Sequence, residues 1–125
     1  MLTTRIIARL DIKAPQGVVK GRRMDGLRRM GDPAVIALKA EAEGADEILY
    51  VDLVASLYGR SPDLSLLARA THNLMTPLTV AGGICTLKDM QAVMVLGADK
   101  VAMNTAALGR PQLLRECAQA YGSQA

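Results

Sequence analysis

An α/β fold of four parallel strands, each returned by a helix, is what this 125-residue sequence predicts. Three observations carry the prediction. Short Val-, Ile- and Leu-rich runs alternate with stretches of helical period along the whole chain. Aromatic side chains are almost absent, with three Tyr and no Phe or Trp, so the core is aliphatic, as in layered parallel sheets. The string Gly44-Ala45-Asp46-Glu47-Ile48 returns as Gly97-Ala98-Asp99-Lys100-Val101, 53 residues later and at the same place between a helix stop and a strand start. Four sequential right-handed βα units curl into half of a (β/α)8 barrel, the TIM architecture. The expectation is one (βα)4 half-barrel domain over 1–125, with quarter-barrel repeats near 1–55 and 56–125.

The elements follow in order. Arg5–Leu10, Ile48–Leu53, Pro77–Val80 and Lys100–Met103 read as the strands. Asp32-Pro33 opens the first helix with a cap and a Pro at its first position, Val35, Leu38 and Ala42 share a face, and Gly44 stops it. Ser61-Pro62 opens the second, with Leu64, Leu67 and Leu74 at helical spacing. Thr86 starts the third, which carries Met90, Val93 and Met94 and stops at Gly97. Gly109-Arg110-Pro111 starts the fourth, with Leu114, Cys117 and Tyr121 inward. Residues 12–31 are expected as a mobile loop without regular structure, either a functional lid or a disordered stretch. A half-barrel leaves its first and fourth strands as edges and its inner face bare, so a two-fold dimer is expected.

Composition excludes several classes. No apolar run approaches the ~20 residues of a membrane span, and Arg5 and Arg9 interrupt the N-terminal segment from Met1-Leu2 onward, so neither a membrane helix nor a secretory signal is expected and the reading is cytoplasmic. Cys85, Cys117 and the lone His72 are too few for a disulfide framework or a structural metal. His72 reads as solvated or structural, and Met24, Met30, Met90 and Met94 as gap-fillers. Six cations, Lys13, Lys20, Arg22, Arg23, Arg28 and Arg29, stand against Asp25 alone in the 12–31 stretch. That stretch is internal and Gly-punctuated, which favours an anionic small molecule over nucleic acid, with a plain solvated loop as the alternative.

Function in such barrels sits at the C-terminal strand ends. There lie Asp11, placed for general acid–base work or for capping a turn, and Asp52, as suited to orienting a loop as to reacting at the interior. Gly82-Gly83 before a helix, joined by Asn104-Thr105 at the next strand end, reads as a phosphate cradle. At the opposite end Arg5, Glu47 and Lys100 open strands, where plain surface ion pairing would explain them.

These motifs resemble a known family. Arg5-Ile6-Ile7-Ala8 with Leu10-Asp11, Val18-Val19-Lys20-Gly21, Gly31-Asp32-Pro33, Pro77-Leu78-Thr79-Val80 with Gly82-Gly83-Ile84, and Asn104-Thr105-Ala106-Ala107 follow one another, with the two Gly-Ala-Asp strings, as in the N-terminal half of the cyclase subunit of imidazole glycerol phosphate synthase. The resemblance implies a lyase/cyclase of histidine biosynthesis that reacts ammonia from a partner glutaminase with a bisphosphorylated ribulosyl aminoimidazole, without a cofactor. It makes Asp11 one of two catalytic aspartates, Lys20 a loop lysine that contacts substrate, and Gly82, Gly83, Asn104 and Thr105 one phosphate site. It also makes Arg5, Glu47 and Lys100 three of the four residues of an ammonia gate. Arg9 stands where the family has a small cysteine facing the interior, Ala81 where it has a first glycine, and Cys85 where it has an arginine. Arg9 with Leu57-Tyr58-Gly59-Arg60 resembles a variant branch tied to ammonia transfer in surface-sugar amidation. Three readings follow: a phosphate-binding, cyclase-like half-barrel of weak or no activity alone; a noncatalytic assembly module for a glutaminase or another half-barrel; and an ammonia-handling subunit of sugar amidation.

Overall fold

The computed structural model describes residues 3–22 and 25–125. Met1, Leu2, Arg23 and Met24, which figured in the readings of the N-terminal segment, the basic stretch and the methionines, lie outside the described residues. Four parallel strands, β1 (Ile7–Lys13), β4 (Glu47–Asp52), β5 (Leu78–Ala81) and β6 (Lys100–Ala102), run side by side in chain order. The helices α1 (Pro33–Ala42), α2 (Leu64–Thr71), α3 (Leu87–Val95) and α5 (Gln112–Tyr121) pack on one face of that sheet. The chain is a mixed α/β half-barrel.

Strand alternation builds the core and leaves the other face bare. Leu10, Ile12, Ile48, Tyr50, Leu78 and Val80 point to the helices and are buried with Ala37, Leu66, Leu67, Met90, Val93, Leu113 and Cys117. Residues of opposite parity, Ile7, Arg9, Asp11, Leu49, Val51, Thr79 and Ala81, lie on the concave face, where none is buried. A parallel sheet covered on one face only is incomplete by the usual rule. The two Gly-Ala-Asp strings do the same work at the strand starts. Asp46 Oδ2 accepts from Ile6 N at 2.7 Å and Asp99 Oδ2 from Leu78 N at 2.8 Å, each tying a turn to the neighbouring strand.

The described residues of the 12–31 stretch are not irregular. β2 (Gly17–Arg22) and β3 (Asp25–Gly31) form an antiparallel hairpin that joins the sheet through Ile12↔Val18 and Lys13↔Gly17, giving the order β3-β2-β1-β4-β5-β6. Alternating Val18 and Val19 with glycines and cations gave no apolar face by which to foresee a sheet extension, although both valines are buried. The first strand is therefore an open edge only over Ile7–Asp11. The outer side of β6 is touched by the C-terminal residues, since Val101 N donates to the Ala125 carbonyl at 3.4 Å.

Several helix faces differ from expectation. α1 buries Pro33 and Ala37 while Val35 is 66% exposed and Leu38 and Ala42 are also exposed. Its first turns are apolar nearly all round, so periodicity could not choose the inward face. α2 begins at Asp63, whose carboxylate accepts from Leu66 N, and buries Leu66, Leu67 and Ala70 while Leu64 is exposed. In α5 the inward pair is Leu113 and Cys117, with Leu114 and Tyr121 exposed. Met30 is exposed on the hairpin rather than filling a gap, and His72 is an exposed C-cap. α3 follows the sequence: Thr86 caps it in a reciprocal box with Asp89, and Met90 and Val93 are buried. A short α4 (Thr105–Gly109) after β6 was not foreseen. Among the described residues no helix is long and apolar enough to cross a membrane, and no cluster of metal-ligating side chains forms.

Candidate functional site

A cleft of about 410 Å³ opens at the C-terminal ends of the strands. Gly82, Gly83, Asn104 and Thr105 line it together, and Arg9 reaches it from β1, with Leu49, Val51, Ala81 and Ala102 as neutral walls. The Asn104 amide and the Thr105 hydroxyl make no side-chain hydrogen bond with any described residue, so both remain available to a ligand.

The glycines owe their identity first to packing. Gly82 has φ +92°, and a Cβ there would lie 2.2 Å from the Asp52 carbonyl oxygen. Gly83 has φ +74°, and its Cβ would lie 2.5 Å from Ala55 Cβ. Only a residue without a side chain fits under the β4–α2 loop in this left-handed backbone. The start of the following helix is also occupied. Cys85 N and Thr86 N donate to Asp89 Oδ2 at 3.0 and 3.1 Å, and Asp89 N donates to the Thr86 hydroxyl. The expected dipole contribution from that helix therefore goes to its own capping box, and an anion seated against Gly82 and Gly83 depends on Asn104, Thr105 and the glycine backbone rather than on that helix.

Asp11 lies within β1, paired with Val51, rather than beyond the strand end. Its Oδ1 accepts from Arg9 Nε at 2.6 Å, and its side chain is 29% exposed on the concave face. Asp52 has the opposite parity. Its carboxylate, expected as a possible interior group, is buried on the helix side, where it accepts from Val54 N, Ala55 N and both terminal nitrogens of Arg60 at 3.0–3.3 Å. It orients the β4–α2 loop over Gly82 and Gly83. Arg60 is the partner that sequence reasoning missed, although it is the sole cation of that loop.

Lys20 is not brought to this cleft. It faces Arg28 across the hairpin and lines a separate hollow of about 530 Å³ with Gly21, Gly26, Arg28 and Met30. At the other end of the strands Arg5, Glu47 and Lys100 do meet. Glu47 Oε1 lies 2.9 Å from Arg5 Nη1 and 3.9 Å from Lys100 Nζ, and the carboxylate is the least exposed of the three groups. Cys85 is an exposed thiol at the cleft wall, and the Cys117 thiol is pushed up by burial in the core.

Residues 5–125 match the model of a family described as histidine biosynthesis protein. The chain is 45% identical over 124 residues to imidazole glycerol phosphate synthase subunit HisF of Legionella pneumophila, a match that covers 99% of this chain and 58% of that protein. The protein of the same name from Mycobacteroides abscessus is 44% identical over 98% of this chain and 48% of its own length. That of Anoxybacillus flavithermus is 46% identical over 99% and 49%. The chain thus spans about half the length of the curated relatives it matches.

Proposed function

The chain belongs to the histidine biosynthesis protein family, as a counterpart of the N-terminal half of HisF, and from that premise we propose that it is a phosphate-binding, cyclase-like half-barrel. The observation that carries the reading is the convergence of Gly82, Gly83, Asn104 and Thr105 on one cleft, with the Asn104 amide and Thr105 hydroxyl engaged by no described residue. A phosphorylated small molecule would place its phosphate there. Asp11, on the concave face beside the cleft, is the general acid–base group of an ammonia-dependent lyase/cyclase step on a bisphosphorylated ribulosyl aminoimidazole. With one such carboxylate, activity alone is weak or absent, because a misplacement of about 1 Å can cost roughly 100-fold. A second copy, pairing its own free β1 edge and concave face, would supply a second Asp11 and a second cradle. Lys20 on the hairpin would reach the ligand only if the hairpin folds over the cleft, as a lid does.

Titration with inorganic phosphate by calorimetry tests the reading. Asn104→Asp places a carboxylate against the anion and is expected to weaken binding about tenfold or more. Unchanged affinity in that variant refutes the cradle. Light scattering with and without phosphate tests the two-copy arrangement, which a monomer at micromolar concentration would refute.

The Arg5–Glu47–Lys100 cluster favours a second reading, a docking floor for a glutaminase that supplies ammonia. Co-purification with a glutaminase that Glu47→Ala abolishes would support it, and retention in that variant would refute it. The sugar-amidation reading rests on Arg9 and the Leu57–Arg60 loop. Protection from thermal unfolding by a sugar nucleotide, and not by the histidine intermediate, would favour it.

A further inference from the structure

We propose that Arg9 is an anion-binding residue that sets the ligand class of the cleft, holding a second oxyanion of a ligand whose first lies against Asn104 and Thr105. The proposal rests on the cradle reading for the first oxyanion only. Strand parity places Arg9 on the concave face, and the register Arg9↔Leu49, Leu49↔Thr79, Thr79↔Lys100 sets it one layer deeper than Asp11, Val51, Ala81 and Ala102. Its Nε is engaged by Asp11, but its two terminal amino groups hydrogen-bond to no described residue, and the side chain is 54% exposed. The walls it shares, Leu49, Val51, Ala81 and Ala102, are uncharged. Lys100, in the same layer, is committed to Glu47.

A guanidinium fixed through Nε presents its two terminal nitrogens as an end-on fork, the geometry that takes a carboxylate or phosphate bidentately. Asp11, besides its proposed acid–base role, then also positions Arg9. Adjacent strands lie ~4.8 Å apart, so β1 and β6 are separated by roughly 14 Å along the sheet, a span shortened by curvature and by the reach of the arginine. A single phosphate does not bridge it. A ligand with anionic groups at both ends of a five- or six-carbon chain does.

The test compares fructose 1,6-bisphosphate with fructose 6-phosphate by calorimetry on the full chain. Wild type is expected to bind the bisphosphate about tenfold more tightly. Arg9→Gln should abolish that preference, and Arg9→Lys, which keeps a cation without the fork, should restore only part of it. Asp11→Asn should lower the preference in the Arg9 background and change nothing further beside Arg9→Gln, a coupling that a merely structural role would not produce. Retention of the preference in Arg9→Gln, with unfolding midpoints matched, overturns the proposal, as does equal binding of the two sugars by wild type. A preference that depends on Arg9 but is indifferent to Asn104→Asp would instead sink the cradle and leave Arg9 standing.

Discussion

Replacing Arg60 by Met probes the loop that supports the cleft. The Asp52 side chain is 1% exposed, and its oxygens accept from Arg60 Nη1 at 3.0 Å, from Nη2 at 3.2 Å and from two backbone N–H groups. Methionine keeps most of the arginine's apolar stem but leaves a buried carboxylate without its cation. Breaking a fully buried pair costs about 3–5 kcal/mol. Arg60 is 33% exposed, so water replaces part of the loss and roughly 2–3 kcal/mol is expected. Unfolding entropy of about 2.1 cal/mol/K per residue converts this to a fall of about 8–12 °C in Tm for a chain of this size. Thermal unfolding followed by circular dichroism reads it. Asp52→Asn beside Arg60→Met should recover much of the loss, because an amide oxygen still accepts from Val54 N and Ala55 N with no charge buried. A single variant within about 2 °C of wild type, or a double variant no better than the single, would refute the reasoning.

Other outcomes follow from the same geometry. Gly44→Ala meets open space and should cost only the left-handed backbone term, about 1–2 kcal/mol, whereas Gly82→Ala drives a methyl into the Asp52 carbonyl and should cost roughly 3 kcal/mol or more; equal losses in urea melts would show that the loop yields freely. Tyr50→Phe removes a buried hydroxyl that has no partner among the described residues, so stability should hold or rise by up to about 1–2 kcal/mol, and a clear loss would reveal a hidden acceptor. The Leu66 N–H, then the Ser65 hydroxyl, hold the Asp63 carboxyl below its ordinary value. Its contribution is therefore present above a pH of about 4 and lost as pH falls through the folded value. Asp63→Asn should flatten the acid limb of a stability–pH curve, and an unchanged slope between about pH 5 and 3 would count against that bond.

The alternation of short aliphatic runs with helical segments was enough to name four parallel strands and their order, because burial on a sheet has a period of two and crossovers have one hand. The repeated Gly-Ala-Asp string marked two strand starts, where a glycine ends the helix and the short carboxylate ties the turn to the neighbouring strand. Gly82, Gly83, Asn104 and Thr105 were legible as neighbours because strand ends of one sheet converge. Arg5, Glu47 and Lys100 were legible as strand starts, and the ion pairs that join them were visible only in space.

Tertiary structure decided the rest. α1 is apolar on too many sides for its sequence to choose a face, and the strands beneath it made the choice. The hairpin over residues 17–31 exists because β1 runs on to Lys13 and offers an edge to pair, which local composition did not record. Asp11, within β1, and Asp52, at the end of β4, are both acidic, yet one residue of parity sends the first to the open concave face and the second into a buried bond with Arg60. Residue type set which chemistry was present, and the pleat of the sheet set which of it faces the open cleft and which is buried against the helices.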